Sequence, residues 1–343
     1  MIPYSRQNID DADIEAVTEA LSDELITTGP RVARFEKAVC DYVGSVYGVA
    51  VSSGTAALHA AMFAIGLKPG AEVIVPAITF VATANCVVFQ GAKPVFCDVQ
   101  PDTLLIDTNK LEALITKRTK AIIAVDYAGQ PCDYRALREL AKKYKLSLIS
   151  DACHSLGAVI PTADITVYSF HPVKHITTGE GGMAVTDDPV LAERMRSFRF
   201  HGMQRGMMYE LGYNYRISDI QCALGLSQLS KLDGWIAERR AIASVYDRRL
   251  SVERLQGSPE HTYHLYVVKV PRRDELLTML YERQIRATVH YRPVFHHPYY
   301  WKYEADCPVA EEAAKQILSL PIFPGMMEQE YVIKTLEGLV WQK

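Results

Sequence analysis

From about Val49 to Asp151, short β-branched runs alternate with stretches whose apolar residues recur at helical spacing. Val49–Val51 leads into a helix over Thr55–Ile65, and Glu72–Val75 leads into one over Val81–Phe89. Pro94–Phe96 opens the next unit. Ala121–Val125 and Leu146–Ile149 then flank a charged helix over Tyr134–Tyr144. This alternation predicts an α/β fold, a mostly parallel sheet covered by helices. Ligands of open α/β sheets collect beyond the carboxyl ends of the strands, which singles out Ser52–Thr55, Asp126 and Asp151.

Further along, the run Ile165–Phe170 reads as a strand, followed by a glycine-rich loop through Gly179–Gly182. A helix is expected over Pro189–Arg199 and a long helical stretch from Ile217 to about Leu250. The final third carries strands near Tyr263–Val270 and Arg286–His290 and a helix near Glu328–Leu339. The pattern predicts a large domain over residues 1–230 and a smaller C-terminal α+β domain over 231–343. No internal repeat or low-complexity segment interrupts it.

With 343 residues, 49% of them apolar, the chain is long enough for two substantial cores. A net charge of −3 without a lysine or arginine block argues against nucleic acid or an anionic membrane as partner. Seven cysteines stand singly, with no Cys-x-x-Cys pair, and read as reduced thiols rather than a disulfide framework or zinc site. The opening Met1–Arg6 lacks the features of a signal peptide, and no apolar run would cross a bilayer. These features predict a soluble, cytoplasmic protein.

Three constellations carry chemistry. In Val51–Leu58 a strand, a small-residue turn and a helix start succeed one another. Glycine there lets an anion approach the backbone, while the first-turn amides and the helix dipole hold one phosphate. The segment matches neither Gly-x-Gly-x-x-Gly nor a Walker loop, so a monophosphate suits it better than a dinucleotide or triphosphate. An ordinary helix N-cap is the alternative reading. Asp151, at a strand end, is placed to accept a hydrogen bond from a protonated ring nitrogen or, alternatively, to cap a helix, with His154 three residues on. Lys174 follows a strand and precedes the glycine loop, where an amine that forms an imine with a carbonyl would sit, although a solvated lysine fits the residue taken alone. Phe80 could stack on a ring or belong to the core. His296–Tyr300 has no carboxylate or cysteine at coordinating spacing, so no metal is expected there. His290, Tyr291 and Arg292 just before it are better placed for polar ligand contacts.

Ser53–Leu58, Asp151–Gly157, Ser169–Lys174 and Gly212–Gln221 occur in the order seen in the DegT-type sugar aminotransferases, and the chain resembles that family over nearly its whole length. Phe170–Thr178, Val125–Gly129, Val289–Pro293 and Pro3–Ser5 favour its pseudaminic-acid branch. The resemblance implies the fold-type I architecture of pyridoxal phosphate (PLP)-dependent transferases, a homodimer with shared active sites, and transfer of an amino group. The donor would be glutamate and the acceptor C4 of a UDP-linked 4-keto-6-deoxy-N-acetylhexosamine. Rival readings are an aminotransferase for another nucleotide-linked keto sugar, a dehydratase, which the retained lysine opposes, and a non-catalytic cofactor-binding sensor.

By the same resemblance Lys174 would bind PLP covalently, Asp151 would pair with the pyridine nitrogen and His154 would lie near the ring hydroxyl. Phe80 would cover the ring. Gly54, Thr55 and Ser169 would hold the phosphate, with Asn214 reaching it from the partner subunit. Tyr4, Ile26, Thr27 and the stretch His290, Tyr291, Arg292 and Pro293 would contact the nucleotide sugar. Four expected loops, Ala158–Thr162, Gly206–Tyr209, Ser251–His261 and Trp301–Asp306, are short against the family pattern. The intact motifs on either side favour loop residues missing from the sequence over true trimming.

Overall fold

The computed structural model describes residues 1–158 and 163–340. Residues 159–162 of the first abbreviated loop therefore lie outside the described residues. Seven strands form the main sheet: β1 (Tyr47–Val51), β2 (Glu72–Pro76), β3 (Lys93–Cys97), β4 (Thr119–Val125), β5 (Ser147–Asp151), β6 (Ile165–Ser169) and β7 (Gly182–Thr186). Their order is β1-β7-β6-β5-β4-β2-β3. Strand β7 runs antiparallel to both β1 and β6, and the pairs from β6 through β3 are parallel. The expectation of a mostly parallel α/β sheet is met. Residues of β2 and all but one of β4 are buried, as strands covered on both faces require.

Four helices precede or follow the first strands: α1 (Asp11–Leu21), α2 (Pro30–Val43), α3 (Gly54–Ala64) and α4 (Ala82–Phe89). Helix α3 is almost wholly buried and packs across β1, β6 and β7. It starts where Ser53 turns the chain out of β1, and the Ser53 hydroxyl accepts from the Ala56 amide at 3.1 Å. The charged helix Tyr134–Tyr144 and the helix Pro189–Arg199 stand where the apolar spacing placed them.

Two segments differ from the sequence expectation. The helical stretch Ile217–Leu250 is two helices, Asp219–Leu229 and Leu232–Arg249, separated at Ser230–Lys231. Its start is fixed by a capping box between Ser218 and Gln221. The expected strand Arg286–His290 is irregular chain. Only Thr288 bridges, to Ser319, on the edge of Ile317–Leu320 opposite its pairing with Tyr266–Lys269. A separate apolar cluster gathers Ile242, Tyr246, Tyr266, Leu280, Leu318, Ile333 and Leu336 from the C-terminal third, together with Ile2. The helix Leu232–Arg249 joins this cluster to the one around Phe35, Phe170 and Trp235.

Candidate active site

A cavity of about 640 Å³ opens at the carboxyl ends of the parallel strands. Its wall contains Tyr4, Gly54, Thr55, Phe80, Asp151, His154, Ser169, Lys174, His290 and Tyr291, ten residues singled out from the sequence for one ligand site. Ile26, Thr27, Asn214, Arg292 and Pro293 do not line it. Thr27 bridges to Ser218 and Asn214 to Phe200, and Ile26 is exposed. Arg292 and Pro293 directly follow Tyr291, with Pro293 leading into a short 3-10 turn.

At one end lies the start of α3. Helix geometry leaves its first amides without intrahelical acceptors. The Ala56 and Ala57 amides are taken by Ser53, and those of Gly54 and Thr55 stand at the cavity. A Cβ at Gly54 would come within 2.9 Å of Ser169 Cβ, so glycine is what lets the turn and β6 close around a small anion.

Asp151 ends β5 and is only 5% exposed. Thr83 of α4 donates to its Oδ2 at 2.8 Å and the Cys153 amide to its Oδ1 at 3.3 Å. A carboxylate so placed at a cavity wall, with few donors of its own, suits a cationic N–H of a ligand. His154 donates or accepts at Nε2 with the Tyr291 hydroxyl, 3.1 Å away, and its buried Nδ1 has no partner among the described residues. Burial first, and the Lys174 charge second, hold His154 far below the usual histidine range, so it is neutral.

Lys174 lies just past β6, its amide bonded to the His171 carbonyl at 2.8 Å. The residue is partly open to the cavity, yet protein encloses its amine closely. Desolvation therefore lowers the ammonium pKa from its usual value, with the nearby Cys153 and Asp151 acting in the opposite direction. An amine whose charged form is disfavoured by burial, at the wall of such a cavity, suits the work of a nucleophile and a proton carrier. Phe80 forms an exposed part of the wall, 6.0 Å from the Tyr291 ring.

Sequence reasoning passed over Thr79, Cys153, His171 and Glu180 of the same wall, and Thr83, which bonds Asp151 from α4. Among the described residues, no three His, Cys, Asp or Glu side chains form a metal-holding group, and no helix is long and apolar enough to cross a membrane.

A family model for the DegT/DnrJ/EryC1/StrS aminotransferases matches residues 7–337. The chain belongs to that family. The spore coat polysaccharide biosynthesis protein SpsC of Bacillus subtilis is 38% identical over 380 aligned positions, covering 99% of this chain and 97% of SpsC. That alignment is longer than the chain, so SpsC carries residues that this sequence lacks, in keeping with the abbreviated loops. Among solved structures, PseC of Helicobacter pylori, an aminotransferase of pseudaminic acid biosynthesis, superposes with a TM-score of 0.92 at 33% identity, covering 99% of both chains. NtdA of Bacillus subtilis, solved with bound pyridoxamine phosphate (PMP), superposes at 0.90 with 30% identity, over 97% of this chain and 83% of NtdA.

As a DegT-family aminotransferase the protein works with PLP, and the cavity fits that cofactor. The Gly54 cradle would take the phosphate, Asp151 the pyridine nitrogen and the enclosed amine of Lys174 the carbonyl. The fold is that of the fold-type I transferases.

Proposed function

We propose that the chain is a nucleotide-sugar aminotransferase that moves an amino group from an amino acid, glutamate by analogy, to C4 of a UDP-linked 4-keto-6-deoxy-N-acetylhexosamine. The observation that carries the aminotransferase reading is the meeting of Lys174, Asp151 and the Gly54–Thr55 turn in one cavity wall. Support for the sugar comes from the structural likeness to PseC, over 99% of both chains.

PLP supplies an electron sink that stores the amino group between donor and acceptor. The residues divide the remaining work. The Gly54 and Thr55 amides and the Ser169 hydroxyl would anchor the phosphate, with Asn214 of a second copy completing it. Asp151 would keep the pyridine nitrogen protonated, and His154, itself fixed by Tyr291, would face the ring hydroxyl. Phe80 would cover the ring. Lys174 would hold the cofactor at rest and, once displaced by the donor, carry a proton between donor carbon and cofactor, then work in reverse for the sugar. Tyr4, Ile26, Thr27 and His290–Pro293 would meet the nucleotide sugar.

A homodimer is part of the proposal. Its support is the exposed apolar run Met207, Met208, Tyr209, Leu211 and Tyr213 beside Asn214, a surface suited to a second copy. The seven free cysteines support the cytoplasm as compartment. The division into residues 1–230 and 231–343 is supported by the break at Ser230–Lys231 and the separate C-terminal core cluster.

The test is a panel of UDP-linked 4-keto sugars with glutamate, with products identified by mass and NMR. Amination of the 4-keto-6-deoxy-N-acetylhexosamine is expected, and Lys174→Ala should lose both turnover and the visible absorption of bound PLP. A second reading, an aminotransferase for a different nucleotide-linked keto sugar, is favoured by the higher identity to SpsC, a spore coat polysaccharide protein. Turnover of another sugar in the panel with none of the first would select it.

A further inference from the structure

Among the described residues Lys174 Nζ has one side-chain hydrogen-bond partner, and it does not belong to the cavity wall. His264 Nε2 lies 3.5 Å away, at the outer edge of hydrogen-bond distance. The imidazole comes from the distant segment that leads into the strand Tyr266–Lys269. That segment is firmly held. Thr262 Oγ1 donates to the His154 carbonyl at 3.1 Å, the Leu265 amide to Ala128 at 3.1 Å, and Arg239 Nη1 to the carbonyls of Tyr263 and His264 at 3.2 and 3.4 Å. Gly129, at φ +99°, admits it, since a Cβ there would come within 2.5 Å of Thr262 Oγ1.

The His264 ring consequently lies against two other imidazoles, with centroids 4.3 Å from His154 and 5.8 Å from His175. The charged and titratable groups acting on it are Lys174 and His175 from the loop after β6, His154 from the loop after β5, and Arg239 from the helix Leu232–Arg249. No carboxylate is among them. Burial keeps the ring neutral, and any positive charge on these neighbours, Lys174 first, further disfavours a second proton on it.

A neutral imidazole carries its proton on one nitrogen or the other. His264 Nδ1 is buried with no partner among the described residues. Protonation there would orphan a buried N–H, which folded proteins tolerate less readily than an orphaned acceptor. The proton therefore belongs on Nε2, facing the amine.

We infer that His264 is a positioning residue for Lys174: whenever the amine is free of cofactor, the His264 Nε2–H donates to its lone pair and holds it neutral beside the cavity. The bond requires that lone pair, which an ammonium lacks, so it favours the neutral amine. It breaks when the same lone pair takes a proton from the donor carbon, so His264 parks the lysine and relays no proton. The inference rests on the reading of Lys174 as the cofactor lysine.

Borohydride reduction of the holoenzyme followed by peptide mapping tests that premise alone, since cofactor attached to another lysine overturns both. With attachment at Lys174 established, the enzyme is converted with glutamate to its PMP form, in which the lysine is free. The Lys174 carbon-13 Cε resonance is then titrated. His264→Phe is expected to raise the midpoint by about one pH unit, the scale of one lost hydrogen bond. The acidic limb of the half-reaction with 2-oxoglutarate should move with it. His264→Gln, whose amide N–H can occupy the same place, should restore both toward wild type. An unchanged midpoint in His264→Phe overturns the inference. If that variant does not fold or load cofactor, His264→Asn, too short to reach, is compared with His264→Gln. A higher midpoint in Asn is expected, and equal midpoints overturn the inference.

Discussion

The Thr83 hydroxyl donates to Asp151 Oδ2 at 2.8 Å, joining helix α4 to the tip of β5 across 68 residues of sequence. Thr79 Oγ1 stands a further 2.8 Å from the same hydroxyl, so the carboxylate has a two-threonine support. Thr83→Val keeps the shape and removes the donor. Losing a hydrogen bond to a charged group is worth about 1.5–3 kcal/mol, so kcat should fall by roughly ten- to a hundredfold. Cofactor stoichiometry should hold, and Thr83→Ser should recover most of the rate. Wild-type kcat in the valine variant would show that Asp151 needs no help from α4.

Gly182, which pairs with Val51 of β1 and Ser169 of β6, has no room for a side chain. A Cβ there would lie 2.4 Å from the Ser53 carbonyl carbon and 2.5 Å from the Gly54 nitrogen, both backbone atoms of the proposed phosphate turn. Gly182→Ala should cost about 1–3 kcal/mol of stability and weaken PLP binding by about tenfold or more, read by denaturant midpoint and by cofactor titration. Gly234, with nothing within 4 Å of an added Cβ, serves as control. Gly234→Ala should leave binding unchanged and stabilise its helix by up to about 1 kcal/mol.

The parallel sheet was legible because short apolar strands alternate with helices from β1 to β5, which leaves few alternatives. Lys174, Asp151 and Gly54 were legible for a related reason: each ends a strand or stands within five residues of a strand end, and the topology carries the carboxyl ends of β1 to β6 to one edge. Thr83 and His264 were not. Their significance comes from side chains that meet across 68 and 90 residues, a relationship that local periodicity does not encode. The strand expected at Arg286–His290 failed on the same ground. Its alternating pattern is real, but only Thr288 pairs, with Ser319 on the open edge of Ile317–Leu320, and a single bridge does not make a strand.

Asn214 stands outside the cavity of its own protomer, next to exposed Tyr213 and Leu211. If each site takes this asparagine from the partner, Lys174→Ala and Asn214→Ala damage different protomers of a mixed dimer. One of its two sites then carries both lesions and the other neither. Mixing the two inactive or weakened variants under subunit exchange should restore up to about a quarter of wild-type turnover, because half the dimers are mixed and each has one intact site. Turnover no higher than the mean of the separate variants would place Asn214 in its own protomer's site or in none.

Asp126, directly after β4, lies 2% exposed beneath the site. It accepts from Ser155 at 2.6 Å, from Tyr134 at 2.8 Å and from the Cys132 amide at 3.0 Å. Burial raises its carboxyl pKa to about 6 despite these donors. An acid whose folded pKa exceeds its unfolded value binds its proton more tightly when folded. Its contribution to stability is therefore greatest below about pH 4, declines as pH rises through 4 to 6, and is a net cost above that window. At 1.36 kcal/mol per unit the change is about 3 kcal/mol. Asp126→Asn removes the titration while its amide oxygen still accepts from Tyr134 and Cys132, and Ser155 can reverse its hydroxyl to accept the new N–H. Relative to the asparagine variant, wild type should lose about 2 kcal/mol of unfolding free energy between pH 4 and pH 6.5, measured by denaturant melts at stepped pH. Parallel curves for the two proteins would mean that the carboxyl titrates alike in the folded and unfolded chains, and that its three donors fully offset its burial.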